Sequence, residues 1–261
     1  MSGRGRAQAD SFARIAPHYD VLMSSVPYAR WADYVCQLAA LSGRLIRPGT
    51  HLLDLATGTG SVALEFASRG CVVTGLDLSE PMLVEARRKA AERGLSVTFL
   101  CHDLSDYHLP TEFDHAVCLY DSLNYLLDPG QLKQAFANTR SALRPGGLFV
   151  FDVNTVHALE AELFTQESPE GAAIWYRWIS KYDRKTRTSR VTMEFRIAGT
   201  GQRFTVEHRQ RAYTEADLRS FLFHAGFTHI VSYEAYRLTS PAPLTDRAFY
   251  VARADESPVA S

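Results

Sequence analysis

The chain has 261 residues, a formal net charge of −1 and a hydrophobic content of 46%. This length accommodates one large α/β domain or two small ones, and the apolar fraction excludes extensive disorder and collagen-like repeats. No apolar run approaches the ~20 residues that span a bilayer, and the balanced charge argues against nonspecific coating of nucleic acid. No apolar segment follows the N-terminal arginines as it does in a secretory signal. We therefore expect a cytoplasmic protein without a membrane or nucleic-acid partner.

The four cysteines are Cys36, Cys71, Cys101 and Cys118, and none of them forms a CxxC pair. Three lie in strand-like runs, so we interpret them as small buried hydrophobes in a reducing compartment. These spacings predict no metal site.

The first half of the chain alternates between predicted strands and helices. Residues 1–10 are expected to form a loose tail, after which apolar positions from Trp31 to Leu41 recur at helical spacing and Gly43 ends the helix. The next predicted strands are 51–56, 71–77, 97–101, 115–120 and 148–153, and the predicted helices are 61–68, 80–93 and 128–143. Such alternation predicts an α/β fold with a parallel sheet covered by helices.

Local signals support these helices. Ser79 and Asp128 occupy N-cap positions, and Asp128 has Gln131 three residues later, as in a capping box. Glu85 and Lys89 are spaced to pair across one helical turn.

The pattern changes at about Asn154, where a β-rich insert over 155–213 is predicted. Its three long strands, joined by two turns, are expected at 174–182, 190–198 and 203–213. In the middle strand Val191, Met193 and Phe195 share one face, so one side of the insert is apolar.

The C-terminal part returns to the main domain, which is predicted to comprise 1–154 and 214–261. Thr214 and Asp217 cap a helix. Two final strands, at 229–238 and 247–252, are joined by a loop and can therefore pair antiparallel.

A glycine-rich turn after the first strand carries the main functional signal. Residues 58–63 read G-T-G-S-V-A, matching G-x-G-x-x-A, and Asp77 lies 17 residues after Gly60 at the end of the next strand. This spacing fits a dinucleotide, with pyrophosphate at the helix N-terminus, or S-adenosylmethionine, which has no phosphate. Asp54 favours the second ligand, because a carboxylate repels pyrophosphate but attracts an ammonium group. Asp103 ends the third strand, where it can accept a hydrogen bond from an adenine amino group.

Five segments in chain order resemble the motifs of class I S-adenosylmethionine-dependent methyltransferases: LLDLATGTGSVALEFA, GLDLSEPML, CHDLSDY, LYDSLNYL and LRPGGLFVFD. The resemblance runs from about Phe12 to Arg253 and is greatest for small-molecule enzymes with a β-rich insert after strand five, including amino-sugar N-methyltransferases. It implies a Rossmann-like seven-stranded sheet, in the order 3-2-1-4-5-7-6 with strand 7 antiparallel, beside the antiparallel three-stranded insert. The sequence departs from the commonest pattern at Ala56 and Thr57, where a glycine and a small or cysteine residue are frequent.

The resemblance also implies a set of cofactor-binding residues. Together with the residues singled out above, they are Tyr19, Trp31, Asp54, Ala56, Gly58, Gly60, Asp77, Leu78, Met82, Asp103, Leu104 and Tyr120. In the family, the residue at Asp77 binds the ribose hydroxyls, those at Asp103 and Leu104 read the adenine edge, and that at Tyr120 lies near the methionine amino group.

Each of these residues also has a structural interpretation. A strand-end aspartate often only caps a helix, and Leu78 and Met82 can be ordinary core residues. Trp31 lies on the apolar stripe of its helix, which favours core packing and leaves Tyr19 as the better candidate for a lid over the cofactor.

Methyl transfer from a sulfonium needs alignment of acceptor and methyl carbon, which can account for about 7–11 kcal/mol of a barrier. A neutral amine needs no strong base, whereas a hydroxyl does. We therefore predict transfer to a small molecule mainly by proximity, with N-methylation favoured over O-methylation and Asp121 or His208 as a candidate proton acceptor. His208 shares the apolar face of its strand, where a histidine is usually a hydrogen-bonded core residue.

The insert is basic. Residues 173–213 contain ten Lys or Arg and three Asp or Glu, so their net charge of +7 leaves −8 for the remainder of the chain. Such a lobe could meet an anionic acceptor such as a nucleotide-linked sugar, but a solvated outer face is the favoured interpretation. An amino sugar remains open as the acceptor. Two other functions also remain open at this point, a non-catalytic cofactor-binding protein and an NAD-dependent oxidoreductase. The chain can be a monomer or a homodimer.

Overall fold

The computed structural model describes residues 3–169 and 171–255, with side chains from residue 11 onward. Its helices are α1 (Gly3–Leu22), α2 (Tyr28–Leu41), α3 (Ser61–Ser68), α4 (Glu80–Glu92), α5 (Pro129–Ala142), α6 (Val156–Glu160) and α7 (Glu215–His224), with a 3-10 turn at Ser122–Tyr125. Its strands are β1 (His51–Leu55), β2 (Val72–Asp77), β3 (Val97–Cys101), β4 (Phe113–Cys118), β5 (Leu143–Asn154), β6 (Gln166–Glu167), β7 (Ile174–Asp183), β8 (Thr188–Ile197), β9 (Arg203–Arg211), β10 (Phe227–Glu234) and β11 (Arg247–Ala254).

The main sheet has seven strands in the order β3-β2-β1-β4-β5-β11-β10. The pairings among β1 to β5 are parallel, whereas β11 pairs antiparallel with both β5 and β10. The predicted order and the antiparallel strand 7 are therefore confirmed. Helices α2, α3 and α4 cover one face and α5 and α7 the other, so apolar cores lie on both sides. All nine residues from Gly146 to Asn154 are buried, as a strand covered on both faces requires.

The insert forms a separate antiparallel sheet with four strands, in the order β6-β7-β8-β9. The three long strands are confirmed, but the predicted count of three is wrong because the two-residue β6 adds an edge strand. So short a strand has no alternation from which a sequence pattern could reveal it. The alternation of β8 is confirmed, since Val191, Met193 and Phe195 are buried while Arg190 and Arg196 are exposed.

The N-terminal segment corrects another expectation. Residues 3–10, predicted to be a loose tail, belong to α1, and residues 1 and 2 lie outside the described part of the chain. Phe12, Ile15, Tyr19 and Leu22 recur at helical spacing along α1, so one stripe of this helix can pack on the rest of the protein. Ile15 is buried against the insert sheet.

Polar contacts hold α1 against both the insert and the main domain. The Nη1 of Arg14 donates to the carbonyl of Thr205 on β9 at 3.0 Å, and Asp20 forms an ion pair of 2.8 Å with Lys89 on α4. Lys89 was predicted to pair with Glu85, but Glu85 pairs with Arg88 instead. The α1 helix therefore spans the main domain and the insert.

The helix caps agree only in part with prediction. Thr214 and Asp217 form the expected capping box. Asp128 does cap α5, although its side chain accepts from the amide of Gly130 at 2.8 Å. Ser79 occupies the N-cap position of α4 without a side-chain capping bond, so that part of the prediction is wrong.

The cysteines also differ from expectation in part. Cys71 and Cys118 are buried, whereas Cys36 is partly exposed and Cys101 is exposed at the end of β3. Cys101 occupies an outward position on this strand, which the strand pattern alone did not distinguish.

Gly60 gives a test of how the glycine turn packs. Its φ is +77°, and a Cβ there would lie 2.9 Å from the Cβ of Ala86 and 3.1 Å from the ring of Phe99. We expect Gly60→Ala to lower the free energy of unfolding by about 2–4 kcal/mol, since left-handed strain and overlap add. Urea denaturation measures this change.

The matched control is Gly94→Ala. Gly94 has a φ of +62° but open space around a Cβ, so only the strain of about 1–2 kcal/mol should appear. Equal losses in the two variants would show that packing at Gly60 does not matter.

Candidate cofactor and acceptor site

A cavity of about 590 Å³ lies at the carboxyl ends of the central strands of the main sheet, between that sheet, α1 and the insert. This is the edge at which open α/β sheets bind ligands. Every predicted site residue except Gly60 lines it: Tyr19, Trp31, Asp54, Ala56, Gly58, Asp77, Leu78, Met82, Asp103, Leu104, Tyr120, Asp121 and His208. One continuous cavity thus joins the predicted cofactor residues to the insert.

The turn after β1 is built from left-handed residues. Ala56, Gly58 and Gly60 have φ values of +54°, +56° and +77°. A Cβ on Gly58 would meet nothing within 4 Å, which leaves its backbone open to the cavity, whereas Gly60 serves packing. Ala56 occupies a conformation that costs an L-residue about 1–2 kcal/mol, at the position where the family often has glycine.

Asp77 is fixed by backbone amides at the end of β2. Its two carboxylate oxygens accept from the amides of Gly58 and Ser79, each at 2.8 Å. Burial raises the pKa of Asp77, although these bonds oppose the change. The Oγ of Ser79 is buried and has no hydrogen-bond partner among the described residues. A fixed carboxylate beside a free hydroxyl fits the two hydroxyls of a ribose.

Asp54 is enclosed at the end of β1. It is 2% exposed, and its Oδ2 accepts from the hydroxyl of Thr57 at 2.6 Å. Burial raises the pKa of Asp54 to about 7, with a further contribution from the charge of Asp77. An ammonium group in the cavity would favour the ionised form, so Asp54 fits the amino end of a methionine moiety.

The third acid marks the adenine side. The Oδ1 of Asp103 accepts from the amide and the hydroxyl of Ser105, each at 2.8 Å. Leu78, Met82 and Leu104 line the cavity nearby. Apolar side chains beside an oriented carboxylate fit an adenine ring and its amino group.

A buried cluster of charges holds the residues after β4. Tyr120 and Asp121 both have left-handed backbones, with φ values of +64° and +52°. Their amides donate to the carboxylate of Asp152 at 2.6 and 3.0 Å. Arg247 on β11 forms ion pairs with both Asp152 and Asp121, the latter at 2.7 Å. Gln210 on β9 donates its amide to Asp121, which ties the insert to the main sheet.

The electrostatics of this cluster leave an excess of negative charge. Burial raises the pKa of Asp152 to about 6 even though Arg247 opposes the change. The two carboxylates raise the pKa of Arg247, which stays charged. One cation faces two acids, so the field at this end of the cavity favours a bound cation such as a sulfonium.

Sequence reasoning did not assign Arg247 or Gln210. Gln210 follows His208 by two residues and shares its inward face, so the alternation of β9 could have revealed it. Arg247 lies in no local motif and is 126 residues from Asp121, so nothing nearby in the sequence identifies its partners.

The two aromatic residues predicted near the cofactor, Trp31 and Tyr19, differ in their packing. Trp31 is 5% exposed and packs against Phe249 and Tyr120, with ring centroids 5.9 and 5.3 Å apart. Tyr19, on α1, lines the cavity, and burial raises the pKa of its phenol well above the usual value. Trp31 is thus a core residue at the wall of the cavity, and Tyr19 lies in the helix that covers it.

The insert supplies the other half of the cavity. Trp178, Val191, Met193 and Phe195 of the insert line it together with the buried His208, and Phe12 of α1 also contributes. Burial lowers the pKa of His208 to about 4, so its ring is neutral at pH 7. This half is therefore mainly apolar.

One hydrogen bond orients the His208 ring. Its Nδ1 lies 3.1 Å from the hydroxyl of Tyr125, and its ring packs on that of Phe12 at 4.6 Å. Among the described residues that line the cavity, Arg247 is the only lysine or arginine.

The chain is similar to known methyltransferases along most of its length. A family model described as a methyltransferase domain matches residues 52–147. The putative methyltransferase YqeM of Bacillus subtilis is 30% identical over 241 residues, which cover 90% of this chain and 94% of that protein. The crystal structure of an S-adenosylmethionine-dependent methyltransferase from Clostridium acetobutylicum has a TM-score of 0.81 and 27% identity, covering 93% of this chain and 98% of that chain. A dTDP-3-amino-3,6-dideoxy-alpha-D-glucopyranose N,N-dimethyltransferase of Streptomyces fradiae is 28% identical over 232 residues, covering 81% of this chain and 86% of that protein.

The chain belongs to the S-adenosylmethionine-dependent methyltransferases and is an enzyme that uses this cofactor. The dinucleotide interpretation of the glycine turn is therefore set aside. No helix within residues 3–169 and 171–255 has the length and apolar character needed to cross a membrane. In the same part of the chain, no group of three or more His, Cys, Asp or Glu side chains is arranged to hold a metal ion.

The pKa of Asp54 predicts a pH-dependent affinity for the cofactor. Because this carboxyl titrates at about 7 in the free protein instead of 3.8 when unfolded, it lowers stability progressively as pH rises from about 4 to 7. The ammonium of S-adenosylmethionine would favour ionisation, so binding at pH 6 should release a large fraction of one proton, falling towards zero well above pH 7. Isothermal titration in buffers of different ionisation enthalpy measures this release.

The control for this experiment is Asp54→Asn, which keeps the shape of the side chain but cannot titrate. It should bind more weakly and release less than half as many protons at pH 6. Equal proton release from the variant and the native protein would assign the titration to another group.

Proposed function

We propose that the enzyme transfers the methyl group to an amine of a small molecule, with N-methylation favoured over O-methylation. Bound S-adenosylmethionine supplies an activated methyl carbon for in-line displacement. The turn at Tyr120 and the inward face of the insert enclose the space in which an acceptor would be aligned. Such alignment can account for about 7–11 kcal/mol of the barrier.

The observation that carries this proposal is the state of the two candidate proton acceptors. Asp121 is ion-paired with Arg247 and also accepts a hydrogen bond from Gln210. His208 has a pKa lowered to about 4 by burial, so it is a weak base. A hydroxyl acceptor would need a stronger base, whereas a neutral amine presents its lone pair directly.

We assign Asp121 and His208 non-basic roles on the same grounds. Asp121 positions the turn at Tyr120 through Arg247 and connects it to the insert. His208 orients the acceptor by hydrogen bonding, and the surrounding apolar side chains disfavour a charged ammonium, which could not react.

The alternative of an anionic acceptor has less support. Arg190, Arg196, Arg203 and Arg209 of the insert are exposed on its outer face. Arg247 lines the cavity but is bound to two carboxylates. The dTDP-linked 3-amino sugar named for the Streptomyces fradiae relative supports an amino sugar as the acceptor class.

Matched pairs of acceptors test the preference for nitrogen. We expect ring amines such as cyclohexylamine and D-glucosamine to be methylated at least about 100-fold faster than cyclohexanol and D-glucose. Transfer to a hydroxyl lacks the contribution of general-base catalysis, which is at least about 100-fold, when no base removes the hydroxyl proton. Mass spectrometry of the products, with S-adenosylmethionine in excess, measures the rates.

The control variant is Asp77→Asn, which alters the cofactor half alone and should slow transfer to every acceptor equally. Methylation of the alcohols at the same rate as the amines, or of the alcohols alone, would contradict the proposal.

A further inference from the structure

Unpartnered polar atoms cluster at the cavity. Among the described residues, four buried side-chain nitrogen or oxygen atoms have no hydrogen-bond partner: Ser79 Oγ, Trp178 Nε1, His208 Nε2 and Arg253 Nε. The first three belong to residues that line the cavity. A buried polar atom without a partner is costly, so it is rare outside sites where a ligand or water supplies the missing bond.

These three atoms divide between the two halves of the cavity. Ser79 follows β2 and lies beside Asp77, in the cofactor half. Trp178 and His208 belong to β7 and β9 of the insert, in the acceptor half. The cofactor half therefore contributes one unpartnered atom, and the acceptor half contributes two.

Strand register places Trp178 and His208 on the same face of the insert sheet. Trp178 pairs with Met193 and His208 pairs with Val191, and both partners point inward. The two residues are two strands and one side-chain step apart, so their backbones are about 12 Å from each other. Both side chains line the same cavity, so the two nitrogens border one common space.

The two nitrogens differ in what they can bind. The indole Nε1 of Trp178 is only a donor, so it needs an oxygen or nitrogen lone pair. The Nδ1 of His208 is occupied by the hydroxyl of Tyr125, which leaves Nε2 with the opposite donor or acceptor role on the neutral ring. Val191 and Met193 of β8 lie between them and offer no polar contact.

We propose that Trp178 Nε1 and His208 Nε2 are specificity-determining groups that bind two separate polar groups of the methyl acceptor. The acceptor is then a ring-bearing molecule with an apolar face and at least two hydrogen-bonding groups, one of which accepts from Trp178. This deepens the proposed function, on which it rests for the identity of the acceptor half.

The test uses the full-length protein, ¹⁵N-labelled and saturated with S-adenosylhomocysteine. Its three tryptophans give three indole N–H signals, and Trp178→Phe identifies the relevant one. The probes are trans-4-aminocyclohexanol, cyclohexylamine and cyclohexanol, which differ only in their polar groups. We expect the two hydroxyl-bearing probes to shift the Trp178 signal.

Affinity gives the second readout. The native protein should bind trans-4-aminocyclohexanol about 3- to 10-fold more tightly than cyclohexylamine, as one added neutral hydrogen bond allows. Trp178→Phe should reduce this ratio to about 1, because phenylalanine keeps an aromatic ring but has no N–H. Trp175→Phe is the matched control, since Trp175 already donates to Glu167 at 3.1 Å and is absent from the cavity wall; it should keep the native ratio.

His208→Asn provides an independent variant. It should weaken all amine probes while leaving the Trp178 shift with cyclohexanol in place. Four results would each overturn the proposal. They are native affinity in His208→Asn, an unshifted Trp178 signal with the hydroxyl-bearing probes, an unchanged affinity ratio in Trp178→Phe, and no binding by any probe.

Parallel samples with S-adenosylmethionine separate this inference from the proposed function. If hydroxyl-bearing probes bind more tightly in a way that depends on Trp178, but no amine is methylated, the proposal of N-methylation is overturned and the Trp178 contact is kept. If both amines are methylated at rates that Trp178→Phe does not change, the proposal of N-methylation is kept and the proposed Trp178 contact is overturned.

Discussion

The buried ion pairs of Arg247 with Asp121 and Asp152 are the constraint on which the rest of the site depends. Charges removed from water are tolerated only when they are closely paired, and removal of one partner typically costs about 3–5 kcal/mol. Here the same carboxylate that binds Arg247 also accepts the amides of Tyr120 and Asp121. The left-handed turn after β4, which costs about 1–2 kcal/mol for each non-glycine residue, is thereby held in place.

The same cluster joins the two sheets. Gln210 connects Asp121 to β9, and its side-chain oxygen accepts from Asn154 at the end of β5 at 3.1 Å. The α1 helix makes the second connection, through Arg14 on the insert side and Asp20 on the main domain. One cavity therefore has an acidic half beneath the strand ends and an apolar half beneath the insert. The balanced net charge of the chain conceals this arrangement, since the basic side chains of the insert face outward.

The sequence predicts those parts of the fold that rest on local patterns. Strand and helix periodicity identified the main sheet, and the acids at 54, 77 and 103 were recognisable because each lies at or just after the end of a strand. The alternation of β8 and β9 likewise placed His208 and Met193 on the inward face. Each of those signals lies within one short segment of the chain, in a single strand or in the turn that follows it.

The remaining features depend on contacts between distant segments. Arg247 meets Asp121 across 126 residues, and Lys89 meets Asp20 across 69, so neither pairing has a local sequence signal. The helical course of residues 3–10 and the two-residue β6 depend on packing that only the folded chain provides. The apolar walls and the two unpartnered nitrogens of the acceptor half also depend on contacts between distant segments.

A crystal structure of the protein with S-adenosylhomocysteine tests the central claim most directly, namely that the cavity aligns cofactor and acceptor between the main sheet and the insert. We expect the ribose at Asp77, the amino group at Asp54 and the sulfur beside Tyr120, with open space from the sulfur to Trp178 and His208. A ligand whose sulfur faces away from the insert, or whose adenine occupies the space beside His208, would contradict it.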